Sequence, residues 1–154
     1  MNAEYANIFV GSAVRIFEQE MGSKLSRKSL TLKNAPVPGL PVSIIIGVTG
    51  YLTGQVVYSM DEDFAFKVTR ALMPNRLPAE AKKFMSSAVA EVANIITGQA
   101  TISLAGEHET IHLTPPAVLT GKDLVVDFLA LPTICLSLIS EFGVLEINIA
   151  IAEK

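Results

Sequence analysis

The residues best placed to do chemistry lie in a stretch that reads as a helix. Ala79, Glu80, Ala81, Lys82 and Lys83 are strong helix formers behind Pro78, and proline is tolerated in a first turn. The spacing predicts a helix from Leu77-Pro78 to past Asn94. At about 100° per residue, Ser87, Glu91, Asn94, Gly98 and Thr101 fall within about 80° of one another. One face therefore carries a carboxylate and an amide. Phe84, Ala88, Val92 and Ile95, with Met85, Val89 and Ile96, supply enough apolar surface to dock the helix on a sheet, so packing does not require the polar stripe. In an arbitrary sequence such a stripe is a solvated helix face, and composition alone does not overturn that.

Other combinations offer less. His108 and His112 straddle a turn into a strand, with no cysteine and no third ligand at metal spacing, so no zinc site is expected. Cys135 lies in the apolar stretch Leu131 to Ile139 and reads as core, and no Ser-His-Asp or Cys-His set is evident. The run Gly47 to Gly54 lacks the Lys-Ser or Lys-Thr that follows a phosphate-binding loop, and its glycines are needed by a turn. Pro115-Pro116 reads as fixing the chain between strands.

The elements that must hold such a stripe follow from composition and pattern. With 154 residues, 50% hydrophobic and 18% charged, the chain fits one domain over residues 1–154. Twelve Lys and Arg against fifteen Asp and Glu give a net charge of -3 with no basic run, which speaks against nucleic acid as a partner. A mean hydropathy of +0.45 speaks against disorder. One cysteine cannot form an intramolecular disulfide and favours a reducing compartment. No Lys or Arg precedes Arg15, so the charged start of a secretory signal is missing, and Pro132 interrupts the apolar run Phe128 to Ile139 well short of a membrane span. A soluble cytoplasmic protein without a membrane partner is expected.

Tyr5, Ile8, Phe9, Ala13, Ile16 and Phe17 fall at helical spacing, with Gly22 as a C-cap. Leu30-Thr31-Leu32 suggests a brief strand before a loop reaching Leu40. Val42 to Val48 and Gln55 to Ser59 form a hairpin about the turn Gly50 to Gly54. Asp61, Glu62 and Asp63 supply a cap and negative charge for a second helix that Pro74 stops. Beyond the long helix, Thr110 to Thr114 alternates, and Leu124 to Leu129, Thr133 to Ile139 and Val144 to Ala152 read as strands, the last half-buried. The expectation is an α+β domain with a mainly antiparallel sheet of about six strands packed against about three helices.

The string Ser87-x3-Glu91-x2-Asn94, with Thr114-Pro115-Pro116 about twenty residues later, resembles the signature of the CheC and CheX family of bacterial chemotaxis phosphatases. Gly47-Val48-Thr49-Gly50, Gly54 before a strand ending Tyr58-Ser59, Gly98, and the run from Thr114 through Gly121 and Asp123 to Leu124 are similar to the family as well. Glycine turn, Glu-x2-Asn and proline pair in that order are far more specific than any one alone. CheC-like members usually carry two copies of the helix signature and CheX-like members one. Glu4-x2-Asn7 lacks a preceding Ser or Asp at the right offset and a following proline pair, so the single good copy favours the CheX-like branch.

The resemblance implies a homodimer built on edge-strand pairing, with the last strand or Leu124 to Leu129 as candidate edges. It implies as substrate a phosphorylated CheY-like response regulator, whose Mg²⁺ belongs to the regulator; this chain needs no cofactor of its own. In that setting Asn94 orients the attacking water without having to titrate, and Glu91 pairs with the lysine near the phosphoryl group. Ser87 either hydrogen-bonds the partner or keeps the face small. The alternative is a non-catalytic adaptor that binds a regulator or a flagellar switch component through the same face.

Overall fold

The computed structural model describes residues 3–33, 37–106, 110–128 and 131–153. The chain runs α1 (Ala3–Met21), β1 (Ser26–Lys33), β2 (Val37–Pro38), β3 (Val42–Gly50), β4 (Leu52–Met60), α2 (Glu62–Leu72), α3 (Pro78–Lys83), α4 (Met85–Ala105), β5 (Ile111–Leu113), β6 (Ala117–Thr120), β7 (Val125–Val126), β8 (Thr133–Ser140) and β9 (Gly143–Glu153). Seven strands form one antiparallel sheet in the order β1-β8-β9-β4-β3, with β5 and β6 both on the outer side of β3. β2 and β7 make a separate two-stranded ribbon. The architecture is α+β, as the residue pattern predicts, with four helices.

Alternation decides which strand residues face the helices. Leu145, Ile147, Ile149 and Ile151 of β9 join Ile44 and Ile46 of β3 and Leu136 of β8 in the main core, against Phe9, Ile16 and Phe17 of α1, Phe64 of α2 and Val89, Val92 and Ile96 of α4. The opposite face of the sheet holds a smaller cluster in which Val57 and Ala150 meet Val37 and Phe128. Local signals set the helix ends. Asp61 accepts the Phe64 N–H at 2.7 Å to cap α2, and Gly22, at φ +61°, ends α1 by donating to Glu18 O at 3.1 Å.

The loop motifs converge on β3. Thr114 donates its N–H to Gly47 O at 2.9 Å and accepts the Gly47 N–H on Oγ1 at 2.8 Å. A Cβ on Gly47 would come within 2.8 Å of Thr114 Cγ2, so this close approach requires glycine. Pro115-Pro116, which have no N–H to donate, then separate β5 from β6 along the same neighbour.

Several expectations change. The helix foreseen from Pro78 onward is two helices, broken at Phe84. β1 spans eight residues instead of the short run Leu30 to Leu32, because its pairing with β8 extends it. β6 was not foreseen, and Leu124 to Leu129 reduces to Val125–Val126, with Leu129 outside the described residues. The last strand is not an edge: β9 is paired with β8 on one side and β4 on the other, which also buries Asn148 to 2%. Its apolar row therefore cannot meet a symmetry mate; the outer strands of the main sheet are β1, β5 and β6.

Candidate functional site

α4 carries the candidate residues Ser87, Glu91 and Asn94, and its start is set by Phe84. Phe84 leaves helical geometry at φ −100°, ψ 5°, donating its N–H to Ala81 O at 3.0 Å while its own carbonyl accepts the Ala88 N–H at 2.8 Å. The ring is 37% exposed, and Arg76 stacks on it at 5.2 Å from guanidinium to centroid. Phe84 is therefore not part of the apolar docking side expected of it. By length and composition α4 could cross a membrane, yet its apolar side, Ala88, Val89, Val92, Ala93 and Ile96, is buried within this fold.

One polar contact fixes α4 on the sheet. Tyr58 of β4 is fully buried, and its hydroxyl lies 2.7 Å from Thr97 Oγ1. Thr97 Oγ1 donates to Ala93 O at 2.7 Å, so the phenol O–H is the donor to Thr97. Burial pushes the Tyr58 pKa up. The phenol stays protonated and holds the helix in one rotational setting. The sequence marks Tyr58 only as the end of a strand and does not mark Thr97, because a Tyr in a β-strand and a Thr in a helix carry no sign of being partners.

With α4 set this way, Ser87 and Glu91 are exposed and Asn94 is half-buried, on the outward side of the helix. Among the described residues Glu91 has no cation at ion-pair distance. Gly98 shares this face, but Thr101 does not: it is 5% exposed and its hydroxyl donates to Thr97 O at 2.9 Å and lies 3.1 Å from Gly98 O. The polar row is therefore Ser87, Glu91 and Asn94. Ile102, which falls on the same face by helical spacing, is 76% exposed. The sequence reading passed over it because it is apolar.

Glu4 and Asn7 are exposed on α1. His112 is exposed on β5 and His108 lies outside the described residues. Among the described residues no three His, Cys, Asp or Glu side chains converge as a metal site. Cys135 is half-buried and packs against the small cluster on the helix-free side of the sheet.

This layout, with helices over one face of an antiparallel sheet, is that of CheC-like proteins. The chain superposes on a CheC-like superfamily protein from Shewanella sp. PV-4 with a TM-score of 0.85, 21% identity and 99% coverage of both chains. It also superposes on a chain of the CheX-CheY-BeF3-Mg²⁺ complex from Borrelia burgdorferi with a TM-score of 0.81 and 24% identity, covering 97% of this chain and 98% of that one. A relative described as the CheY-P phosphatase CheX of Thermotoga maritima is 28% identical over 127 residues, 82% of this chain and 81% of the relative. Residues 42–137 match the family model for chemotaxis phosphatase CheX, and the chain belongs to that family.

Proposed function

We propose that this protein is a phosphatase that removes the phosphoryl group from the aspartate of a CheY-like response regulator docked on the outward face of α4. The observation that carries the reading is the adjacent placement of Glu91 and Asn94 on the exposed side of a helix whose other side is locked into the core. The Thermotoga relative, described as a CheY-P phosphatase, and the Borrelia complex of CheX with CheY support the choice of substrate.

Hydrolysis of an acyl phosphate needs little covalent help. Water attacks phosphorus, the bond from phosphorus to the aspartyl oxygen breaks, and the products are a free carboxylate and inorganic phosphate. The transition state is loose, so catalysis rests on placing the water in line and on compensating charge. Asn94 suits the first task, since its carbonyl oxygen accepts from the water and its NH₂ donates without titrating. A carboxylate there would repel the phosphoryl oxygens. Glu91, one turn away, pairs with a lysine of the regulator and sets the register of docking. Ser87 lies one turn before Glu91 and contacts the regulator at the edge of the same row. Mg²⁺ comes with the regulator.

Two further parts of the reading follow. The protein works as a cytoplasmic homodimer, and pairing through β1 leaves α4 free on both copies. A non-catalytic adaptor would use Glu91 in the same way but would have no need of Asn94. Phosphate release from a phosphorylated regulator in Mg²⁺ separates the two: turnover by the parent that is lost in Asn94→Ala is expected, and binding without turnover by the parent would leave the adaptor.

A further inference from the structure

Two residues on the outward face of α4 have no account in the packing of the chain itself. Gly98 lies one turn beyond Asn94 in the interior of a 21-residue helix, where glycine is the least favourable residue apart from proline. A Cβ built on Gly98 meets nothing within 4 Å, in contrast to Gly47, where it would strike Thr114. The fold therefore does not need the missing side chain. Ile102, a further turn along, is 76% exposed, more than any other large apolar side chain among the described residues. It edges an open cleft of about 250 Å³ lined also by Thr101, Ala105, Thr110 and Ile111.

At about 100° per residue, Gly98 and Ile102 each fall within about 20° of Glu91, and a rise of about 1.5 Å per residue puts Ile102 about 12 Å along the axis from Asn94. The face reads, in order, carboxylate, amide, bare backbone and apolar knob. A compact domain of about 100 residues has a radius of gyration of about 13 Å, so a regulator whose phosphoryl group sits at Asn94 reaches Ile102 as well.

We propose that Gly98 and Ile102 complete the regulator-docking surface. Bare backbone at Gly98 lets the regulator approach closely enough for the Asn94 amide to reach the phosphoryl group, and Ile102 beside its cleft takes an apolar patch of the same domain. This rests on the phosphatase reading above. Both are positioning and specificity residues, acting on affinity and alignment with no contact to the reacting atoms.

The test uses the full-length protein and its own CheY-like regulator, phosphorylated with acetyl phosphate in Mg²⁺. Gly98→Ala is expected to raise the Tm, because the helix gains a better former, while it raises KM; Gly98→Leu should raise KM further and lower kcat, because it holds Asn94 away from the phosphoryl group. A purely structural glycine would give no such opposition between stability and affinity. Ile102→Ser is expected to keep the Tm and kcat and to raise KM about tenfold. Parent KM in both Gly98→Leu and Ile102→Ser overturns the proposal. So does an Ile102→Ser variant with parent KM and an altered mass by light scattering, which would assign the patch to a second copy of the chain. If instead the parent neither binds the regulator nor releases phosphate, the phosphatase reading itself falls.

Discussion

In the reaction proposed above, Asn94 and Glu91 divide one task between two chemistries. The amide has to hold a water beside phosphoryl oxygens that carry negative charge, so it must be neutral at every working pH, whereas the carboxylate has to find a cation on the partner, so it must be charged. Asn94→Ala removes the proposed water-orienting amide from a half-buried surface position. Turnover is expected to fall on the order of 10²-fold or more with regulator binding and Tm unchanged, as measured by single-turnover phosphate release and titration. Retention of the parent rate would sink the catalytic assignment. Glu91→Gln should weaken binding most at low salt, because an exposed pair is screened over a Debye length of about 8 Å at physiological ionic strength. Equal affinities of parent and variant from low to high salt would remove its docking role.

The element that matters is α4 together with its anchor on β4. Tyr58→Phe deletes the phenol but leaves Thr97 still bonded to Ala93 O, so the loss is one buried hydrogen bond, about 0.5–1.5 kcal/mol. Thr97→Val is expected to cost more, about 1–3 kcal/mol, because it strands the Tyr58 hydroxyl in an apolar core. Urea denaturation of the two variants checks the order. The same phenol gives a pH dependence. Its folded pKa is raised above the ordinary value of 10.0, so in the unfolded chain it loses its proton first. Stability from this group is complete below pH 10 and declines as pH rises above it, by up to about 1.4 kcal/mol per unit. Tyr5 also has a raised pKa but is present in both proteins, so the difference in alkaline slope between parent and Tyr58→Phe isolates Tyr58. Identical slopes would contradict the buried donor.

At the scale of the whole molecule, the question is what covers β1. Leu30 and Leu32 stand opposite Leu136 and Ile134, which lie in the helix-side core, yet they are themselves 39% and 67% exposed. An outer strand with an apolar row and unpaired backbone groups is a pairing surface. A homodimer is expected at micromolar concentration by light scattering, and Leu32→Lys should shift it toward monomer while each chain keeps its Asn94-dependent turnover. A parent that stays monomeric, or a dimer in which α4 is covered, would refute this assembly.

Local structure was legible in the residues alone, while the chemistry expected of the helix face came from the family resemblance. The exposed Ser87, Glu91 and Asn94 row, a helix cap among Asp61 to Asp63 and the Gly22 stop follow from spacing within a few residues, and the Val42 to Ser59 hairpin follows from two adjoining strand patterns. The glycine turn and the proline pair were visible as motifs, but that Gly47 and Thr114 grip each other across 67 positions was not. Tertiary structure alone decided the break at Phe84, the turning of Thr101 into the fold and the central place of β9. The physical reason is common to these. Which strand lies beside which, and which side of a helix the sheet covers, depend on burial summed over distant segments, and no spacing within one segment contains that sum.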